Sequence, residues 1–191
     1  MSYFKRFLVA VSLLGAVQGY SSPPSFEVSL VTGIAGVVKL GDSFAQIIKS
    51  IKYDYEKIDP NADPELKKLR FVEVLHYKEL GMRVFLRRSG VTMILLQEPF
   101  KGAIRGKSIP LFTFTVPPVD DWEKLITRQL GPPVLRVSGG RLNSQSLFYP
   151  WGDISFNNMG PNQLALYRDA EVGKYRQNDF GRELQLFPES K

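Results

Sequence analysis

"LGMRVFLRRSGVTMILLQ", residues 80–97, decides how the fold is read. Its first half alternates. Met82, Val84 and Leu86 are set against Arg83, Phe85 and Arg87, and a period of two marks a strand with one buried face. Arg88-Ser89-Gly90 is short and ends in glycine, as a hairpin turn requires. "GVTMILLQ" is nearly all apolar and reads as a central strand covered by helix on its inner face. The alternation puts Arg83 and Arg87 on the outer face with Phe85 between them. Two readings follow for Arg83, Phe85, Arg87 and Arg88. They are a solvated strand face, or they form a basic surface that grips an anionic partner.

Upstream, "KLGDSFAQIIKSIKY" (39–53) carries Ser43 and Gln46 at capping-box spacing, with Asp42 adding negative charge at the helix start. Phe44, Ile47, Ile48 and Ile51 then recur on one helical face, and Lys49 and Lys52 sit near its C-terminal end. In "DPNADPELKKLRF" (59–71), Asp63 is the expected N-cap and Pro64 the first helical residue. Leu66 and Leu69 face inward, and "RFVEVLHY" (70–77) reads as a strand. Residues 20–36 read as an extended lead-in with one strand, "FEVSLVTG".

Downstream, "FKGAIRGKS" (100–108) reads as a Gly-rich connector and "IPLFTFTV" (109–116) as a strand. "VDDWEKLITRQLGPP" (119–133) is an amphipathic helix. Asp120 is its expected cap, Trp122, Leu125, Ile126 and Leu130 its apolar face, and Gly131 its left-handed C-terminal stop. "SLFYPWGDISFNNMGPNQLALYRD" (146–169) holds two or three short strands. A polar tail, 170–191, ends the chain, and its Phe180, Leu184 and Phe187 suggest that part of it docks.

The two halves run in parallel. "LGDSFAQIIKSI" corresponds to "VDDWEKLITRQLG", about 75 to 80 residues on. "HYKELGMRVFLRRSGVTMILL" corresponds to "FYPWGDISFNNMGPNQLALY", each with a Tyr (Tyr77, Tyr149), a Gly (Gly81, Gly152), a strand, a turn glycine (Gly90, Gly160) and a second strand. Duplication is one explanation; two generic helix-then-hairpin units are the other. Aligning Gly81 with Gly152 would set Arg83 opposite Ile154. A one-residue slip exchanges the faces of a strand, so alternation within each strand is the better guide.

On "LGDSFAQII" and "LITRQLGPP", with the Tyr-x-Gly strand and hairpin that follow, the chain resembles the tandem β-lactamase-inhibitory-protein-like fold over about residues 30–169. It is also similar to the small SmpA/OmlA-type outer-membrane assembly domains, which share the single unit. The resemblance implies a helical pair on an antiparallel sheet, export across the inner membrane, and binding of another protein through an exposed sheet face. These motifs encode caps and turns, so no binding residue carries over. The absence of Cys departs from the inhibitor, which uses disulfides, and from the lipoproteins, which need an anchor Cys.

The expectation is therefore an α+β chain of two repeated units, 37–116 and 117–169. Each would have one or two short helices packed on an antiparallel sheet of three to four strands. At 191 residues and 43% hydrophobic, the chain can bury a sizeable core. "MSYFKRFLVAVSLLGAVQGYSS" (1–22) has a basic start, an eleven-residue apolar run from Phe7 to Val17, and small residues before Tyr20. That is the anatomy of a signal peptide spanning 1–19; a buried N-terminal helix or an uncleaved anchor is the alternative. The run is too short to cross a membrane, so no transmembrane span is expected in the mature chain. Cleavage removes Lys5 and Arg6 and lowers the formal charge from +6 to +4. Export without cysteine suits a periplasmic or secreted bacterial protein.

Zero Cys and one His exclude cysteine chemistry and a multi-histidine metal site. No G-x-S-x-G elbow accompanies His76. "GDS" at 41–43 opens an apolar helical face and reads as a cap, not a nucleophile. Asp120 and Asp121 stand at a helix start, where carboxylates are capping groups by default. "GIAG" and "GAIRG" lack the Lys and Ser/Thr of a phosphate loop. No cofactor, metal or catalytic residue is expected. Binding candidates remain. Tyr149 and Trp151 flank Pro150 as an aromatic anchor or as sheet-edge core. The function expected first is binding of another protein, at the cell envelope or outside the cell, through an exposed sheet face; the alternative is binding of an anionic envelope component, a lipid headgroup or acidic polysaccharide, through the arginine face. Arg interleaved with aromatics also describes a nucleic-acid platform, but export makes nucleic acid a poor partner.

Overall fold

The computed structural model describes residues 26–104, 107–108, 119–139, 144–156, 162–174 and 176–177. The leader at 1–19, the strand expected at 109–116, the turn around Gly160, and Phe180, Leu184 and Phe187 lie outside the described residues.

Thirteen strands and short helices make a mixed α+β fold with two sheets among the described residues. The first half contributes β1 (Phe26–Ser29), β2 (Gly33–Ile34), β3 (Val38–Lys39), α1 (Phe44–Ser50), β4 (Glu56–Ile58), α2 (Pro64–Lys68), β5 (Glu73–Tyr77), β6 (Met82–Arg87) and β7 (Gly90–Gln97). The second contributes β8 (Gly102–Ile104), β9 (Lys107–Ser108), α3 (Val119–Leu130), β10 (Leu135–Gly139), β11 (Ser144–Tyr149), β12 (Gly152–Phe156) and β13 (Gln163–Tyr167). Residues 170–174 and 176–177 are helical.

The large sheet has eight strands in the order β10-β11-β12-β13-β7-β6-β5-β4. Two four-strand runs therefore share one sheet, and their last strands, β7 and β13, meet antiparallel at its centre, Leu95 opposite Ala165. Val84 pairs with Ile94, and Ile154 pairs with Leu164. Along β6, Met82, Val84 and Leu86 face the main core, as Ile154 and Phe156 do on β12.

Period-two alternation gives the sheet two apolar faces. Ile94 and Leu96, Leu164 and Leu166 enter the main core with Val84 and Ile154, under Ile47 of α1, Ile51 at its C-terminal cap, and Trp122 and Ile126 of α3. Met93, Leu95, Ala165 and Tyr167 enter a second cluster on the opposite face. So β7 is buried on both faces, where helix cover on one was expected. The two helices before β5 part company: α1 joins the main core, whereas Leu66 and Leu69 at α2 join the second cluster. The helical pair implied by the resemblance is split across the sheet.

Local signals hold where a side chain satisfies backbone. Ser43 and Gln46 form the capping box, with Ser43 N–H donating to Gln46 Oε1 at 2.7 Å. Leu66 N–H donates to Asp63 Oδ1 at 3.4 Å, and Gly131 takes φ +90° after α3. Gly90 takes φ +102°, and an added Cβ would lie 2.5 Å from Gly41 O. The hairpin turn can therefore press against the α1 entry, bonding through Gly41 N–H to Val91 O at 2.8 Å.

Other expectations are corrected. The lead-in and the Gly-rich connector fold together as a second sheet, β3-β2-β1-β8-β9, in which β1 and β8 are parallel. Its strands span two to four residues, too few to display a period. The edge strands β4 and β10 were not expected as strands. Helix α3 begins at Val119, which puts Asp120 in its first turn rather than at the cap. Leu125 is 40% exposed because Trp122 and Ile126 fix the buried stripe, and Leu125 lies about 80° from its centre. Residues 170–174 and 176–177 of the tail dock on the outer face, with Val172 fully buried in the second cluster.

Candidate functional site

The three arginines of the β6–β7 hairpin have three different surroundings. Alternation along β6 sends Met82, Val84 and Leu86 to the main core and Arg83, Phe85 and Arg87 to the other side. That other side is covered at its centre. Phe85 is 4% exposed and packs on Phe71 with ring centroids 5.2 Å apart. Phe85 is therefore core, which corrects its placement on an outward basic surface. Segments distant in sequence, around Leu69 and Val172, supply the lid.

Arg87 is an internal clamp. Its Nε donates to Leu69 O at 2.7 Å, its Nη1 pairs with Asp169, and its Nη2 lies 3.3 Å from a Glu171 carboxylate oxygen. The guanidinium also sits 5.7 Å from the Phe71 ring centroid. One side chain thus joins the α2–β5 connection, the hairpin and the start of the docked tail. Arg83 is half-buried beside His76, its rung partner, and its Nε is buried without a hydrogen bond. Burial and the neighbouring Arg83 and Lys78 charges lower the His76 pKa, while Glu56 acts weakly the other way. Arg88 is exposed in the turn.

Arg87 and Arg88 open onto a cleft of about 590 Å³ completed by Arg70, Phe71, Val72, Ser89 and Glu171. Arg70 closes the last turn of α2, its N–H donating to Lys67 O at 3.0 Å. It holds φ +56°, a left-handed position that glycine normally fills. Val72, 52% exposed, forms an apolar lip. Arg70 and Arg88 have no ion pair among the described residues. Nothing in the pattern of the sequence marked Arg70, Asp169 or Glu171, because the residues that meet them are distant along the chain.

Tyr149 and Trp151 do come together. Their rings stack at 4.7 Å and 10°, Tyr149 is 5% exposed, and its hydroxyl donates to Gly131 O at 3.2 Å. They close the main core near the end of α3 and lie apart from the arginine cleft. Burial pushes the Tyr149 and Tyr77 hydroxyls up to about 12.

The docked tail makes a second polar contact. Arg176 grips Asp153 with two hydrogen bonds, Nε to Oδ2 at 2.9 Å and Nη2 to Oδ1 at 2.6 Å. Ser155 donates to Asp153 Oδ1 at 3.3 Å, and Ser146 donates to Ser155 at 3.1 Å. Asp153 and Ser146 are fully buried. A carboxylate locked by a bidentate arginine is positioned to hold structure together.

Among the described residues no three His, Asp or Glu side chains are grouped to hold a metal ion. No helix among them is long and apolar enough to cross a membrane. No protein-family model matches the chain, and neither curated proteins nor solved structures give a match.

Proposed function

We propose that the chain is an exported, non-enzymatic binding module of the cell envelope or exterior. Its ligand is an anionic envelope component, a lipid headgroup or an acidic polysaccharide, held by the arginine cleft. One observation carries the reading: Arg70, Arg87 and Arg88 converge on one cleft whose lining includes a single carboxylate, Glu171. Arg87 is engaged internally, so Arg70 and Arg88 are the residues that meet the ligand, and Val72 takes an adjoining apolar group. Arginine suits this task because its planar donors fit phosphate and carboxylate.

The two-unit architecture belongs to the same proposal. It is supported by the matched strand order of β4–β7 and β10–β13 about the β7–β13 pair, and by α1 and α3 in one core. A protein partner on the open sheet face remains the second reading. The half-buried strip of His76, Arg83, Gln97 and Gln163 favours it, since Phe85 is withdrawn. Export predicts a mature N-terminus at Tyr20, which N-terminal sequencing of chain recovered from its host checks.

The deciding experiment measures binding of the mature chain to anionic-lipid vesicles and to an acidic polysaccharide across salt concentrations. Screening beyond about 10 Å at 0.1 M salt should weaken binding strongly, and Arg70→Ser with Arg88→Ser should abolish it. Salt-independent binding, or binding unchanged in the double variant, would remove the cleft from consideration. Hydrolytic activity lost on His76→Ala would overturn the non-enzymatic reading.

A further inference from the structure

The two edges of the large sheet are built differently. At one end β4 is three residues long, and its Lys57 and Glu56 are tied to Glu73 and Lys78. A short, charged edge resists further pairing. At the other end β10 runs five residues and pairs with β11 along its whole length. Among the described residues no strand covers its outer side. Val134 is 68% exposed and Leu135 41%. Its one charged side chain, Arg136, points to α3 and meets Glu123 at 2.7 Å.

Beside this edge, between β10 and α3, lies a groove of about 490 Å³ lined by Glu123, Lys124, Thr127, Arg128 and Arg136. Its one lining carboxylate, Glu123, already accepts from Arg136 and from Gln145 Nε2 at 2.7 Å. Arg128, exposed on α3, adds a positive charge beside that pair, so the groove lining is net positive. On the other face of the same strand Leu135 and Val137 stand beside Phe148 and Ser146.

We propose that β10 is a docking edge for an extended, acidic segment of a partner protein, which adds a ninth strand to the sheet. Strand addition supplies backbone hydrogen bonds, and alternate side chains supply specificity. Side chains on one face of the incoming strand enter the cationic groove under α3; those on the other extend the apolar row of Leu135 and Val137. The matching segment alternates acidic and apolar residues. A second copy of this chain fits poorly, because edge-to-edge pairing would bring two net-positive grooves together. This surface is separate from the Arg70–Arg88 cleft and stands whether or not that cleft binds an anion.

The test uses the full mature chain and an octapeptide of alternating Glu and Val, with calorimetry and amide hydrogen exchange. The peptide should bind and slow exchange of the β10 amides. A Lys–Val peptide should not bind, nor should a Glu–Val peptide N-methylated at every residue, which has no N–H left to donate on either edge. Arg128→Glu, on an exposed position, should weaken binding about tenfold, the scale of 1.4 kcal/mol, and Arg70→Ser should leave it unchanged. Equal binding of the Lys–Val peptide, retained binding of the N-methylated peptide, or β10 protection arising from dimerisation of the chain alone would overturn the proposal.

Discussion

Arg176→Leu should be among the most damaging single substitutions in the chain, and Asp153→Ala should cost less. The pair makes two charge-assisted hydrogen bonds, at 2.9 and 2.6 Å. At about 1.5–3 kcal/mol each they total roughly 3–6, which agrees with the about 3–5 kcal/mol lost when one member of a buried pair is removed. The order follows from burial. Arg176→Leu leaves a carboxylate with no exposed surface and, among the described residues, the Ser155 hydroxyl as its remaining side-chain hydrogen-bond donor. Asp153→Ala leaves a guanidinium at 9% exposure, on a docked segment that can lift to reach water. Removing both charges together, as Asp153→Ala with Arg176→Leu, should recover most of the loss, since much of it is the penalty of stranding the survivor. Urea unfolding with linear extrapolation measures each term. For a chain of this size the single variants should also lower Tm by roughly 6–20 °C. Single losses below about 1 kcal/mol, or a double variant no better than the worse single, would refute the buried-clamp reasoning.

Four further outcomes are expected. Arg70→Gly should raise stability by about 1 kcal/mol, because glycine adopts the left-handed conformation without strain, yet it should weaken anion binding; calorimetry and unfolding then move in opposite directions. Tyr77 and Tyr149, both held near 12, bind their protons more tightly folded than unfolded. Stability is thus complete below pH 10 and lost as pH rises from 10 toward 12, as unfolding followed with tyrosinate absorbance will show. Within that pair Tyr149→Phe loses the bond to Gly131 and costs about 1 kcal/mol, whereas Tyr77→Phe removes a buried hydroxyl with no partner and costs nothing or stabilises. Gly152→Ala should destabilise by about 3 kcal/mol or more, since its Cβ would stand 1.9 Å from Ala165 O, and thermal unfolding checks it.

What the sequence made legible is what depends on neighbours along the chain. The alternation of Met82–Arg87 assigned each side chain its face, and Ser43, Gln46, Asp63 and Gly131 marked helix ends through bonds closed within a few residues. Wetness of a face was not legible. Phe85 is buried because Leu69, Phe71 and Val172 arrive from other segments, the last of them nearly ninety positions away. The polar letters of "SLFYPWGDISF" concealed the same thing in the second half. Ser146, Asp153 and Ser155 look solvent-facing, yet they are buried in a network completed by Arg176. Within the candidate site Arg88 was legible as a turn cation, whereas Arg70 became relevant only once α2 had packed against the face opposite α1.

The arginines of the hairpin also differ in what a substitution can reveal. The two four-strand runs carry opposite charges on the same face of the sheet, Arg83 beside Leu95 and Asp153 beside Ala165. In the second run Arg176 neutralises the charge. In the first, Arg83 Nε is buried with no partner, a cost of about 1–3 kcal/mol that an arriving acceptor could recover. Arg87 is committed to Leu69, Asp169 and Glu171, so Arg87→Ala would release the tail and expose Phe71. A binding loss in that variant would report undocking as readily as lost recognition. Arg70 and Arg88 are exposed and free of ion pairs among the described residues, so they alone separate the two causes. Binding that falls in Arg88→Ser at unchanged Tm assigns the cleft to recognition; binding that falls only in step with Tm assigns these arginines to the fold.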